Sequence, residues 1–156
     1  MRVVLLDPEG RVLLFRTVDP TMPEVGEWWE LPGGGMDPGE NWSTTAAREL
    51  FEETGLRVSP ERFSAPSWRR TATYVRRHRR VLQHELIVCA RLAAVKPQLA
   101  SSGRTPEEQE QILDALWWPV SDIAASSERF YPGALAALLP RFLAGEELDE
   151  PFEYWN

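Results

Sequence analysis

Glu40, Glu49, Glu52 and Glu53 lie close together in the stretch GGMDPGENWSTTAARELFEETGL, residues 34–56. Glu49, Glu52 and Glu53 stand at i, i+3 and i+4, so a helix projects all three carboxylates from one face. Like charges at these spacings cost a few tenths of a kcal/mol per pair, so a cation has to offset them. Oxygen ligands without Cys or His suit a hard divalent ion, Mg²⁺ or Mn²⁺, better than zinc. Taken alone, an acidic helix face is usually just solvated. The neighbouring residues set this one apart.

Asn41 is placed as an N-cap, the spacing predicts a helix over 42–54, and Gly55 is its stop. Ala46, Ala47, Leu50, Phe51 and Thr54 give that helix an apolar face directed away from the glutamates. Arg48 precedes Glu52 by four residues and can pair with a glutamate and fix its rotamer. Pro32-Gly33-Gly34-Gly35 before it permits close approach of backbone to a ligand. The arrangement is loop, helix, loop, with one side in the core and the other offering carboxylates.

These residues match a known pattern: Gly, five residues, Glu, seven residues, then Arg-Glu-apolar-any-Glu-Glu-any-Gly-apolar. Gly34, Glu40, Arg48, Glu49, Leu50, Glu52, Glu53, Gly55 and Leu56 satisfy every specified position. The chain therefore resembles the Nudix hydrolases. The resemblance implies an α/β fold with a mixed β-sheet sandwiched between α-helices, and Mg²⁺- or Mn²⁺-dependent hydrolysis of a phosphoric anhydride. It implies Glu49, Glu52, Glu53 and the Gly34 carbonyl as metal ligands, with Glu52 or Glu49 as base, Arg48 as orienting group and Glu40 in support. Such enzymes often add a loop glutamate, for which Glu107, Glu108 and Glu110 are candidates. Relatives cleave nucleoside triphosphates, dinucleoside polyphosphates, ADP-ribose and other nucleotides, and a nucleoside triphosphate is the default expectation here. A non-catalytic nucleotide sensor and an RNA-decapping enzyme are the alternatives, and a homodimer is left open.

At 156 residues the chain suits one domain over 1–156, and 43% hydrophobic content excludes a disordered chain. No apolar run reaches the ~20 residues of a membrane span, and the single Cys89 points to a reducing cytoplasm. The net charge of −7 disfavours general binding to nucleic acid or anionic membrane. A small-molecule nucleotide is the expected partner. The positive charge is sixteen arginines and Lys96, and Arg69, Arg70, Arg76, Arg77, Arg79 and Arg80 cluster around one turn. Arg70 is a candidate phosphate contact there, although a solvent-facing hairpin tip is the blander reading.

Strands are expected over 2–6, 12–16, 28–31, 63–75, 81–92 and 112–120, the first two as a hairpin. Residues 93–111 read as a polar loop. A second main helix over 133–143 carries Pro140, which should kink or split it. Trp28 and Trp29 must face opposite sides of an extended strand, so one is core and the other can stack on a base. Tyr74, on a later strand, is a further substrate-binding candidate.

Overall fold

The structure, a computed structural model describing residues 1–155, runs β1 (Arg2–Leu6), β2 (Arg11–Thr17), β3 (Trp28–Glu30), α1 (Trp42–Thr54), β4 (Trp68–Arg76), β5 (Arg79–Arg91), α2 (Pro106–Gln111), β6 (Ile112–Pro119), α3 (Val120–Ala125), β7 (Phe130–Tyr131), α4 (Leu135–Leu143), β8 (Leu148–Asp149) and β9 (Glu153–Tyr154). Successive residues of the central strands enter different cores. Val4, Leu6, Val12 and Leu14 join one, while Val3, Leu5, Leu13 and Phe15 join the other. A strand that buries both faces needs cover on both sides. α1 supplies Ala46 and Leu50 to one core; α3 and α4 supply Ile123, Leu135, Leu139 and Phe142 to the other. The result is a mixed, curled sheet between helices, of the α/β class.

The sheet order is β7-β3-β2-β1-β5-β4-β8, with β6 also on β2 and β9 also on β4. β1 runs parallel to β5, and β2 pairs antiparallel with β6 from Arg11↔Pro119 to Thr17↔Ile112. The expected hairpin of the first two strands survives only at Leu6↔Val12. Beyond that pair the two strands diverge, each pairing elsewhere, and a cleft opens between the β3 and β5 sides.

Three further expectations change. The strand expected from 63 begins at Trp68, because Pro66 has no N–H to give a ladder. The polar loop ends in α2, where Thr105 and Glu108 exchange side-chain and backbone hydrogen bonds in a capping box with Pro106 inside. α4 starts at Leu135 and runs unbroken through Pro140, which sits on its exposed side. Among the described residues no helix is long and apolar enough to cross a membrane.

Candidate active site

α1 starts and stops on its own sequence. Asn41 Oδ1 accepts the Ser43 and Thr44 N–H groups at 3.0 and 3.1 Å. Thr44 Oγ1 accepts the Asn41 N–H at 3.1 Å in return. Gly55 takes the left-handed conformation with φ 73°. The orphan carbonyls of the last turn are met by the incoming loop: Ala100 donates its N–H to Thr54 at 2.8 Å, and Arg104 Nε donates to the Glu53 carbonyl at 2.9 Å. Gly103 makes this docking possible, because a Cβ there would stand 2.6 Å from the Glu52 carbonyl oxygen. Gly103→Ala is therefore expected to destabilise the protein by about 1–3 kcal/mol. A thermal melt superimposable on the parent's would show that the loop does not need this approach.

The helix splays its carboxylates rather than presenting them evenly. Glu49 and Glu53 are buried, while the Glu52 side chain is 41% exposed. Phe51, expected on the apolar face, is exposed, and the Arg57 guanidinium lies 4.0 Å from its ring centroid. Arg48 ties the cluster together. It grips Glu40 through Nε and Nη2 at 2.8 and 2.9 Å, and its Nη1 donates to Glu49 at 2.9 Å and Glu52 at 3.0 Å. Its Nη2 also donates to the Gly35 carbonyl at 2.9 Å.

Hydrogen bonds from Arg48, aided by the Asp37 N–H and the Thr45 hydroxyl, lower the Glu40 pKa to about 2. Glu40 thereby fastens the glycine loop to the helix. Burial pushes the Glu49 carboxyl up against the pull of Arg48. Burial raises Glu53 well above the carboxylate range, opposed by Arg2 and by the Gly33 N–H, which donates to Glu53 at 2.8 Å.

The cleft holds a cavity of about 510 Å³ whose lining includes Gly34, Glu49, Glu53, Trp28, Tyr74 and Glu108. Trp28 faces it. Trp29 is instead core, edge-on to Trp118 at 5.1 Å. Tyr74 donates its hydroxyl to Gln83 at 2.7 Å on the opposite wall. Among the loop glutamates, Glu108 reaches the cavity rim, whereas Glu107 is bound by Arg76 and Arg77 and Glu110 is exposed away from it.

The structure gives Arg70 a place different from the expected phosphate contact. Its side chain is fully enclosed by Glu85, Glu150 and Glu153 and does not line the cavity. Arg2 and Tyr131, which the sequence did not single out, do line it. Arg2 bonds Glu85 at 3.1 Å and the Leu31 carbonyl at 3.0 Å, linking β1, β3 and β5. Their only advance signal was Arg2 beginning an otherwise apolar strand.

Among the described residues no three carboxylate, histidine or cysteine side chains converge on one point. Arg48 lies between Glu40, Glu49 and Glu52. The donor chemistry nevertheless fits a hard cation. Glu49 approaches Gly34 so closely that a Cβ on Gly34 would lie 2.6 Å from the Glu49 carboxylate oxygens. The Gly34 carbonyl already accepts an ammonium, that of Met1, at 2.7 Å. Two buried carboxyls and a backbone carbonyl are the kind of oxygen donors a hard divalent cation takes.

Comparison with known proteins agrees with the geometry. A family model described as NUDIX domain matches residues 1–140. The RNA pyrophosphohydrolase of Afipia carboxidovorans is 39% identical over 67 residues, 42% of this chain and 40% of that protein. The chain thus spans about 40% of the length of the curated relatives it matches. A MutT protein structure from Methanosarcina mazei superposes with a TM-score of 0.60 at 19% identity, covering 92% of this chain and 91% of that one. A C. elegans Ap4A hydrolase binary complex gives 0.57 at 20%, covering 92% and 96%. These two likenesses concern the fold. With its complete box lying inside a match that spans most of its length, the chain belongs to the NUDIX domain family.

Proposed function

We propose that this chain, acting as one NUDIX domain over 1–156, hydrolyses a phosphoric anhydride bond in a nucleotide with the help of Mg²⁺ or Mn²⁺. A nucleoside triphosphate or another nucleoside diphosphate derivative is the default substrate. The observation that carries this reading is the buried pair Glu49 and Glu53 beside the Gly34 carbonyl at the edge of a cavity of nucleotide size. Glu49, Glu52, Glu53 and that carbonyl would hold the cation. Bound there, it supplies charge neutralisation for the phosphates and a lowered pKa for water.

The chain's own residues do the rest. Arg48 fixes the Glu52 rotamer, and the half-exposed Glu52 carboxylate takes the proton of the attacking water. Glu40 holds Arg48 in turn. Trp28 and Tyr74, on facing walls, are placed to stack on or bracket a base. Glu108 at the rim is the loop residue best placed to assist, Glu107 being engaged by arginines. A reducing cytoplasm suits a chain with one free cysteine.

A longer substrate is favoured by one observation: several of the matched relatives are named RNA pyrophosphohydrolases.

The test is a panel of nucleoside triphosphates, dinucleoside polyphosphates and ADP-ribose with Mg²⁺ or Mn²⁺, followed by release of nucleoside monophosphate, phosphate and pyrophosphate. Metal-dependent release from at least one nucleotide is expected. Tight nucleotide binding with no turnover would instead identify a sensing module.

A further inference from the structure

α2 has no hydrophobic anchor. None of its six residues is buried, so polar ties must fix its position. Val18 donates its N–H to the Gln111 carbonyl at 3.0 Å, and Arg104 fastens the preceding loop to the Glu53 carbonyl. Glu107 supplies the third tie. Arg76 and Arg77, at the tip of the β4–β5 hairpin, both grip its carboxylate, Arg77 through Nη2 at 3.0 Å. Gln111 Nε2 braces the same carboxylate from within the helix at 3.2 Å. The next residue, Glu108, and Gln111 itself line the cavity.

The same tip reaches the loop between β2 and β3. Asp19 is buried there and accepts the Thr21 N–H and hydroxyl at 2.8 and 2.6 Å, together with the Arg77 N–H. Val18, Asp19 and Arg76 also line the cavity. One short turn therefore bridges two segments that both border it. The turn is built from residues that suit its shape poorly. Arg77 and His78, between the paired Arg76 and Arg79, have φ of 49° and 59°. A two-residue hairpin turn with both φ positive favours asparagine and glycine, which meet no steric penalty there. Strain of this kind persists where the surrounding structure makes use of it. Here Arg77 is what the turn positions, its N–H toward Asp19 and its guanidinium toward Glu107.

We propose that the Arg77-His78 turn is a clasp across the cavity, and that Glu107 is a positioning residue that keeps Glu108 and Gln111 turned toward the substrate. The ties are exposed, with the Arg76 and Arg77 side chains 47% and 62% accessible. Salt therefore screens them, and they can open. An openable clasp suits a site that must admit a charged substrate and then hold its walls in register. A turn that served stability alone would make Arg77→Asn harmless. A clasp makes that change harmful to turnover while the melt stays level or rises. The inference rests on the proposed hydrolysis for its kinetic readout alone, because the clasp itself is read from distances within the chain.

In a Cys89→Ser background, nitroxide labels on Arg79→Cys and Glu110→Cys report the separation of tip and helix by pulsed electron paramagnetic resonance. A narrow distance distribution is expected for this pair. Adding Glu107→Ala or Arg77→Asn should broaden it, and high salt should broaden it where the clasp is intact. With the preferred nucleotide and Mg²⁺, kcat/KM is expected to fall about tenfold in Glu107→Ala and by less in Arg77→Asn. Arg77→Asn should melt at or above the parent's temperature, and Glu107→Gln should recover part of the lost rate. The double variant should be no slower than Glu107→Ala, since both changes remove the same tie. His78→Gly relaxes the backbone and leaves both ties, so turnover should stay within about twofold of the parent. Broadened distances with no turnover of any nucleotide by the parent support the clasp and overturn the hydrolase reading alone. Unchanged, narrow distances in Glu107→Ala, or parental turnover in both Glu107→Ala and Arg77→Asn, overturn the clasp.

Discussion

Glu52→Gln is expected to lower Mg²⁺-dependent turnover by about 10²–10⁴-fold, the range contributed by a positioned proton acceptor, while leaving the fold intact. The substitution keeps the shape of the side chain and removes its ability to take a proton as a carboxylate. Its structural cost is small because, among the described residues, the Glu52 carboxylate is held by Arg48 Nη1 alone, at 3.0 Å, on a side chain that is partly solvated. An ion pair of that kind is worth at most about 1 kcal/mol. Glu40→Gln should do the reverse in proportion. It loosens the grip on Arg48 and hence the positioning of Glu52, and so lowers turnover less. Steady-state kinetics on the preferred nucleotide, with circular dichroism melts of both variants, separates the two. Full activity in Glu52→Gln would move the base to Glu49 or Glu108.

How far the site could be read in advance depended on how local its causes were. α1 was legible to the residue because Asn41, Thr44 and Gly55 set its limits through contacts spanning a turn. The opposite fates of Trp28 and Trp29 followed from strand alternation alone. Which of Glu107, Glu108 and Glu110 reaches the cavity did not follow, since it depends on how α2 is rotated against the cleft. Even so, the Thr105-Pro106-Glu107-Glu108 run could have announced that helix. Arg70 was misplaced for a sharper reason. In the sequence it belongs to an arginine cluster, but its partners are Glu85 on the neighbouring strand and Glu150 and Glu153 in the last residues of the chain. Only the pairing of β8 and β9 with β4 brings them together. The acidic and aromatic tail after Gly145 forms a strap over the sheet edge. Its Trp155 stands edge-on to Tyr131 at 5.0 Å and helps to line the cavity.

That strap leads to the largest expected change in stability. Arg70→Met should destabilise the protein by about 3–5 kcal/mol, the usual consequence of leaving buried charge without its partner, and lower the melting temperature by on the order of 10 °C. The guanidinium donates to Glu85 at 2.6 Å and stands 3.2 Å from Glu150, and Glu153 closes the third side. Without it, one cation remains for three carboxylates, Arg2, which reaches Glu85 alone among them; the other donors are neutral, the Tyr131 hydroxyl and Gln83 amide on Glu85, the Trp68 indole N–H on Glu150 and the Gly133 N–H on Glu153.

The loss should depend on pH with a definite sign. In the parent, burial pushes the Glu85 carboxyl up, but Arg2 and Arg70 outweigh it and hold the group below its usual value. Its stabilisation is therefore complete above the unfolded pKa of about 4.3 and is lost as the pH falls through the lowered value. Glu150 is already raised by burial against the pull of Arg70, and removing Arg70 sends both groups upward. The folded variant then takes up protons more readily than its unfolded chain, so its penalty is full at neutral pH and fades as the pH falls toward about 4.3. Urea unfolding at pH 7 and pH 5 should show the gap between parent and variant narrowing at the lower pH. Arg70→Lys, which restores a charge without the planar fork, should recover part of the gap at pH 7. A gap of equal size at both pH values, unaffected by lysine, would assign the loss to the vacated space rather than to the stranded carboxylates.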